Sequence, residues 1–194
     1  MRTALGITAV MGSALVLAAC SNNDGRSAVD RAEDKVAEGV GQVSANTFGS
    51  INAETYIVSA SMGDLYEVRA ADLALEHGQS DGVKELARMI KADHTQAAEK
   101  LRTSVSEPHK VEWLANDLDA RRTGMIDNLA AAATGDFDKA YLEQQVAAHE
   151  EAIALHSGFS NETDETQLSN HARSVLPKIR AHLEKARELL AATQ

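Results

Sequence analysis

Apolar residues from Ile51 to the C-terminus recur at intervals of three and four, the period of a helix that buries one face, and nowhere sustain the alternation of a strand. That pattern predicts five helices. The first covers Ala53 to His77 and is stopped by Gly78; the second starts after Ser80, whose hydroxyl suits an N-cap, and runs to about Val105, ahead of Pro108. A third is expected from Trp113 to Ala133, ending near Gly135, and a fourth from Asp136 or Phe137 to Phe159. The fifth spans Glu165 to Ala192, with Pro177 either kinking it or opening an additional C-terminal segment at a first-turn position, where a missing N–H costs little. Four long rods with short links bury one shared core as a bundle, so the chain reads as all-α.

The inward faces carry more than apolar side chains. In the second helix Val83, Ala87, Ile90, His94, Ala97 and Leu101 form a stripe with an imidazole in its middle. Leu142, Val146, His149, Ile153 and His156 do the same in the fourth, and Ile179, His182, Leu183, Ala186 and Leu190 in the fifth. In the first, Ala60, Asp64, Glu67, Ala71 and Ala74 line a groove of small residues flanked by Ile57, Leu65, Val68 and Leu75. Each of four helices thus sends an ionisable group into the same interior.

A carboxylate or imidazole in a bundle core is costly unless it is hydrogen-bonded, paired or bound to a metal. Two arrangements meet that requirement. Glu67, His94, His149 and His182 form a donor set suited to zinc, iron or manganese, with a position left for water. Alternatively, Glu67 pairs with a histidinium and the remaining imidazoles bond one another or water. Helical phase does not fix depth along the axis, so the deciding geometry is whether the four heads come within about 5 Å of a common point.

The first twenty residues form a separate signal. Arg2 gives a positive start, Ala4 to Val16 are uncharged and mostly apolar, and Leu17-Ala18-Ala19-Cys20 closes the stretch. It reads as a signal peptide, too short for a permanent span of about 20 residues. The Leu-Ala-Ala-Cys ending resembles the bacterial lipobox, which implies cleavage before Cys20 and lipid on that residue. Several acyl chains at roughly 0.8 kcal/mol per methylene make such an anchor stable. The expected address is the cell envelope, with Ser21 after the cysteine pointing to an outer membrane and its periplasmic face where the cell has two membranes. Residues 20–50, rich in Ser, Asn, Asp and Gly, read as the acylated cysteine and a tether, with a short helix conceivable over Ala28 to Val43.

Composition narrows the function classes further. Cys20 is the sole cysteine, so the chain forms no internal disulfide and offers no thiol nucleophile once acylated. The formal net charge of −10 argues against nucleic acid or anionic lipid headgroups as partners. No Gly-x-Ser-x-Gly occurs, and no strand is available to carry a Gly-rich phosphate loop, so an enzyme is not expected. His77, His109 and His171 read as solvated or capping residues, and Trp113 and Tyr141 as packing anchors. Arg121, Arg122, Lys178, Arg180 and Lys185 read as solvated helix faces.

Four stretches carry a resemblance to a known family: Asp64-Leu65-Tyr66-Glu67-Val68; Val83 through His94; Phe137-Asp138-Lys139-Ala140-Tyr141 with His149-Glu150; and Leu176-Pro177-Lys178-Ile179-Arg180-Ala181-His182-Leu183. Together they resemble the domain of unknown function 4142, over about Ile51 to Leu190. The resemblance implies an exported bacterial protein with a ferritin-like up-and-down four-helix bundle, here with the additional C-terminal helical segment, in residues 51–194. It implies no agreed activity. Ferritin-like bundles often hold two irons with Glu-x-x-His motifs on two helices, but here Lys91, Val146 and Ile179 stand three residues before His94, His149 and His182. A single ion on Glu67, His94, His149 and His182 is therefore the expected metal site, with Asp93 or Glu150 as outer acceptors and Asp64 and His156 as reserve ligands. The leading functional expectation is an envelope lipoprotein acting as a structural or interaction module with a protein partner. Its alternative is a transition-metal-binding bundle in metal sensing, buffering or stress response.

Overall fold

The computed structural model describes residues 51–193 apart from 133 and 163; the expected signal peptide, Cys20 and the tether lie outside the described residues. The helices are α1 (Ala53–His77), α2 (Asp81–Ser104), a 3-10 helix (Pro108–Trp113), α3 (Ala120–Ala131), α4 (Phe137–Phe159) and α5 (Thr166–Ala192). Side chains set several of these starts. Asn52 Oδ1 accepts from Thr55 N at 2.8 Å, Ser80 Oγ from Val83 N at 3.2 Å, and Asp119 Oδ1 from Arg122 N at 2.7 Å. None of the described helices is long and apolar enough to cross a membrane.

The four long helices form a ring in which α1 packs on α2 and α4, and α5 packs on the same two. One apolar cluster joins Tyr56, Ile57 and Ala60 of α1 with Leu101, Leu155, Phe159, Leu168 and Ala172. A second, at the other end, joins Ala70, Ala71 and Ala74 with Val83, Leu86, Phe137, Tyr141, Leu142 and Ala186. The N-terminus of α1 therefore meets the C-termini of α2 and α4, and the chain order is up, down, down, up. Every spatially neighbouring pair in the ring is antiparallel, while α2 and α4, consecutive long rods in the chain, run parallel. The turn-back is made by the 3-10 helix and α3, a crossover of the ferritin kind.

Two expectations are corrected in this region. The helix predicted from Trp113 is only α3, because Asp117 and Asp119 use their carboxylates locally. Asp117 Oδ1 accepts from Leu118 N and from Arg69, and Asp119 caps the new start. Ser61 Oγ of α1 accepts from Ala115 N at 2.9 Å and pins this irregular stretch to the bundle. Pro177, second, lies inside one continuous α5, so the C-terminal segment belongs to the fourth rod and the added helical element is α3. Lys110, buried at the crossover, is held by Glu107 and Glu165, each at 2.6 Å.

Between the two apolar ends lies a polar layer. Asp64 and Glu67 of α1, His94 of α2, His149 of α4 and His182 of α5 are all buried, and each falls on its helix between residues of the two clusters. The antiparallel ring thus brings four sequence-distant groups to one depth.

Two glycines test how the backbone is packed. Gly124 sits inside α3, where an added methyl would meet nothing within 4 Å, whereas a methyl on Gly78 would run into the Ala74 carbonyl oxygen. Gly124→Ala is expected to raise the unfolding free energy by about 0.5–1 kcal/mol through helix propensity. Gly78→Ala is expected to lower it by about 1–3 kcal/mol. Urea melts of the two variants beside the parent check both signs.

Candidate metal centre

One ring nitrogen from each of His94, His149 and His182 lies within 4.8 Å of the other two. The rings meet edge to face or tilted, with centroids 5.3 to 5.8 Å apart. Of the four expected ligands, the structure brings these three together. Glu67 lies behind them, its Oε1 3.6 Å from His149 Nδ1, and does not join the converging nitrogens.

The outer nitrogen of each ring faces an oxygen. His94 Nδ1 is 2.8 Å from Asp64 Oδ1, His149 Nδ1 is 3.0 Å from the Gln145 carbonyl, and His182 Nε2 is 3.1 Å from Asp93 Oδ2. A carbonyl or carboxylate only accepts, so the nitrogen opposite each must donate its hydrogen. In neutral rings that leaves His94 Nε2, His149 Nε2 and His182 Nδ1 as bare lone pairs. His94 Nε2 is buried with no hydrogen-bond partner. His149 Nε2 and His182 Nδ1 face each other at 3.3 Å with no proton left to place between them.

Electrostatics keeps two of these rings neutral. Burial, reinforced by His94 and His182, holds His149 well below the usual imidazole range. Burial and then His94 push His182 down to about 4, against the opposing pull of Asp93. His94 differs: burial would lower it, but the hydrogen bond and charge of Asp64, with Glu67 and Asp93, raise it overall. Burial lifts the Glu67 carboxyl to about 7 in spite of His94, and its Oε2 has no partner.

Two recesses reach this layer. A cleft of about 70 Å³ between α1, α3 and α4 is lined by Asp64, Glu67, His94, Arg122, Glu151 and His156. A smaller one of about 20 Å³, between α2 and α5, is lined by Asp64, Asp93, His94, His156, Lys178 and His182.

The other sequence-predicted residues fall out as follows. Asp93 stands on His182 while also accepting from Lys178; Glu150 instead turns to the surface and pairs with Arg187. Asp64 orients His94, and His156 bonds Tyr56. His171, expected to be solvated or a cap, is buried and bonds Tyr56 as well. Its place is readable in the chain, since His171, Val175 and Ile179 follow one another at four-residue intervals in line with His182. Arg122, expected on a solvated face, is largely covered and bonds Asp119 and Glu151. Tyr141 is fully buried, and Trp113 packs half-buried on the apolar cluster that contains Tyr56.

No curated protein matches the chain. Among solved structures it is similar to a crystal structure of a DUF305 fragment from Deinococcus radiodurans, with TM-score 0.60 and 13% identity over 72% of this chain and 95% of that one. At that identity the likeness concerns the fold alone, and it agrees with the all-α bundle described above. The family profile described as domain of unknown function (DUF4142) matches residues 39–189. The polar layer, with His94, His149 and His182, falls wholly inside that match, and the chain belongs to the DUF4142 family.

Proposed function

We propose that the domain binds one transition-metal ion through His94 Nε2, His149 Nε2 and His182 Nδ1. The observation that carries this reading is the orientation of the three rings: each outer nitrogen is engaged by an oxygen, which leaves His149 Nε2 and His182 Nδ1 facing each other without hydrogen and His94 Nε2 buried with no partner. Metal-ligating histidines are held in this manner, by a carboxylate or carbonyl on the second nitrogen. Two nitrogens bound at 2.0–2.1 Å in a tetrahedral shell stand about 3.3 Å apart, which matches the His149–His182 separation of 3.3 Å. A cation between these lone pairs turns their repulsion into bonding. Three imidazoles suit zinc, iron or copper better than manganese. The fourth position falls to water or a small ligand from the cleft.

Glu67 is assigned a different part from the ligand role expected of it. It is the nearest uncommitted carboxyl behind His149 and balances charge in the layer. The lipobox-like ending at Cys20 supports an envelope setting, in which the domain would buffer or sense the metal beside a membrane. A docking module has less support, because the exposed large apolar side chains among the described residues are Met89 and Val111, on different elements.

The full-length protein, purified without a histidine tag, is expected to carry close to one equivalent of metal by mass spectrometry. A His94→Ala, His149→Ala double variant is expected to carry none. Metal at about 100 times its dissociation constant should add about 2.7 kcal/mol to the parent's stability. Equal metal content in the two proteins would refute the site.

Removing an outer acceptor should act more gently. Asp93→Asn keeps the side-chain shape but weakens the grip on His182, with an expected loss of affinity of about 10- to 100-fold, read by competition with a chromophoric chelator.

The charge on Glu67 adds a pH signature to the metal-free protein. Its folded value of about 7 lies above the ordinary 4.5, so the folded chain retains a proton that the unfolded chain has released. The stability it contributes is whole below 4.5 and is lost as pH rises through about 7. Glu67→Gln removes that dependence. Relative to the parent, the variant should therefore be more stable at about pH 8 than at about pH 5, as urea melts at the two values would reveal.

A further inference from the structure

A buried tyrosine organises two more imidazoles outside the trio. Tyr56 Oη lies 2.7 Å from His171 Nδ1 and 3.0 Å from His156 Nδ1, and His171 Nε2 lies 3.1 Å from the Ala97 carbonyl. The carbonyl accepts, so His171 Nε2 carries hydrogen, and its Nδ1 accepts the Tyr56 proton. The hydroxyl has one proton to give. Its oxygen must then accept at His156, whose Nδ1 carries hydrogen and whose Nε2 is left as a bare lone pair. Tyr56 is stacked on Phe159 at 4.1 Å between centroids, which fixes the relay in place. Burial first, with His171 and His94 nearby, pushes His156 down to about 3, so the ring is neutral near pH 7.

His156 lines both recesses, and so do Asp64 and His94. Asp64 engages His94 through Oδ1, while its Oδ2 is buried with no partner. Asp64, with an unpartnered oxygen, and His156, with a nitrogen free of hydrogen, thus line the same two recesses from different helices. We infer that Asp64 Oδ2 and His156 Nε2 form a second divalent-cation subsite on the wall of the cleft, next to the three-imidazole centre and linked to it by the Asp64 carboxylate. The subsite rests on the metal reading of the trio for its neighbour, not for its own donors. One nitrogen and one oxygen donor favour the same borderline transition metals. With two protein ligands the remaining positions fall to water, for which a cleft of about 70 Å³ has room. This is therefore the weaker of the two sites.

The test is a cobalt(II) titration of the full-length protein, followed by visible absorption and calorimetry, in a Cys20→Ser background that removes the sole thiol. The parent is expected to bind two equivalents of unequal affinity. His156→Phe should retain only the tight one. Tyr56→Phe keeps the ring stack but removes the hydroxyl that sets the His156 tautomer; it should weaken the second equivalent about tenfold and leave the first unchanged. A His149→Ala, His182→Ala double variant should lose the tight equivalent and keep the weak one. A parent that binds a single equivalent, unaffected by either the His156 or the Tyr56 change, overturns the subsite and leaves the trio standing. An equivalent that survives the double variant but vanishes in His156→Phe supports the subsite and overturns the trio. Absence of any bound cobalt overturns both. Melting curves of Tyr56→Phe, the milder change, keep a folding defect in His156→Phe from being read as loss of a ligand.

Discussion

Everything in the middle of this bundle follows from the rule that a buried polar atom must have a partner. Three imidazoles sit at one depth, and each has its outer nitrogen occupied by an oxygen of the protein. That occupation decides which nitrogen carries the hydrogen, and so decides that the remaining lone pairs point at one another. Two of these nitrogens stand 3.3 Å apart, and a third is buried with nothing to bond. In an apolar-ended bundle, such an arrangement costs stability until a cation or proton enters it. Burial disfavours the proton at His149 and His182, whereas Asp64 favours it at His94, so a metal cation would compete for the layer with one proton on His94.

The apolar ends offset the cost of this layer. Tyr56, Leu101, Phe159 and Leu168 close one end, and Leu86, Phe137, Tyr141 and Leu142 the other. Each fully buried large side chain contributes roughly 1.5–3 kcal/mol, against the desolvation of Asp64, Glu67 and the imidazoles between them. The crossover adds a tie at each level: Lys110 to Glu165, Ser61 to Ala115, and Arg122 to Glu151. Because α3 is one wall of the cleft, the segment that reverses the chain also bounds access to the polar layer.

Much of this is legible in the sequence, and what is not has an identifiable physical cause. The three- and four-residue spacing locates α1, α2, α4 and α5 and puts His94, His149 and His182 on inward faces, because helical phase is a local property. Common depth is not local; it depends on which helix runs which way, and that emerges only with the up, down, down, up order. Glu67 shares the inward face of α1 with Asp64, and spacing alone does not say that Asp64 meets His94 while Glu67 falls behind His149. The segment after Trp113 has the apolar period of a helix, but that period is blind to the local bonds of Asp117 and Asp119. His171 stands near a helix start, which suggests a cap, although its four-residue register with Val175 and Ile179 marks it as inward.

The carboxylates also explain how a neutral ligand set could hold a divalent ion in a protein interior. Three imidazoles bring no charge, so an ion among them would remain doubly positive in a medium that penalises charge heavily. Asp64 and Asp93 stand one ring behind it, bonded to His94 and His182. Hydrogen bonds through the imidazoles let those two carboxylates balance the ion without touching it and make the rings better donors. Asp93 lies near the surface, where Lys178 shares it, while Asp64 is buried and has an oxygen to spare. The two sides of the layer are therefore unequal. Beside Asp93 the compensation is shared with a lysine, whereas on the cleft side Arg122 is itself held by Asp119 and Glu151, which leaves the spare Asp64 oxygen for a cation.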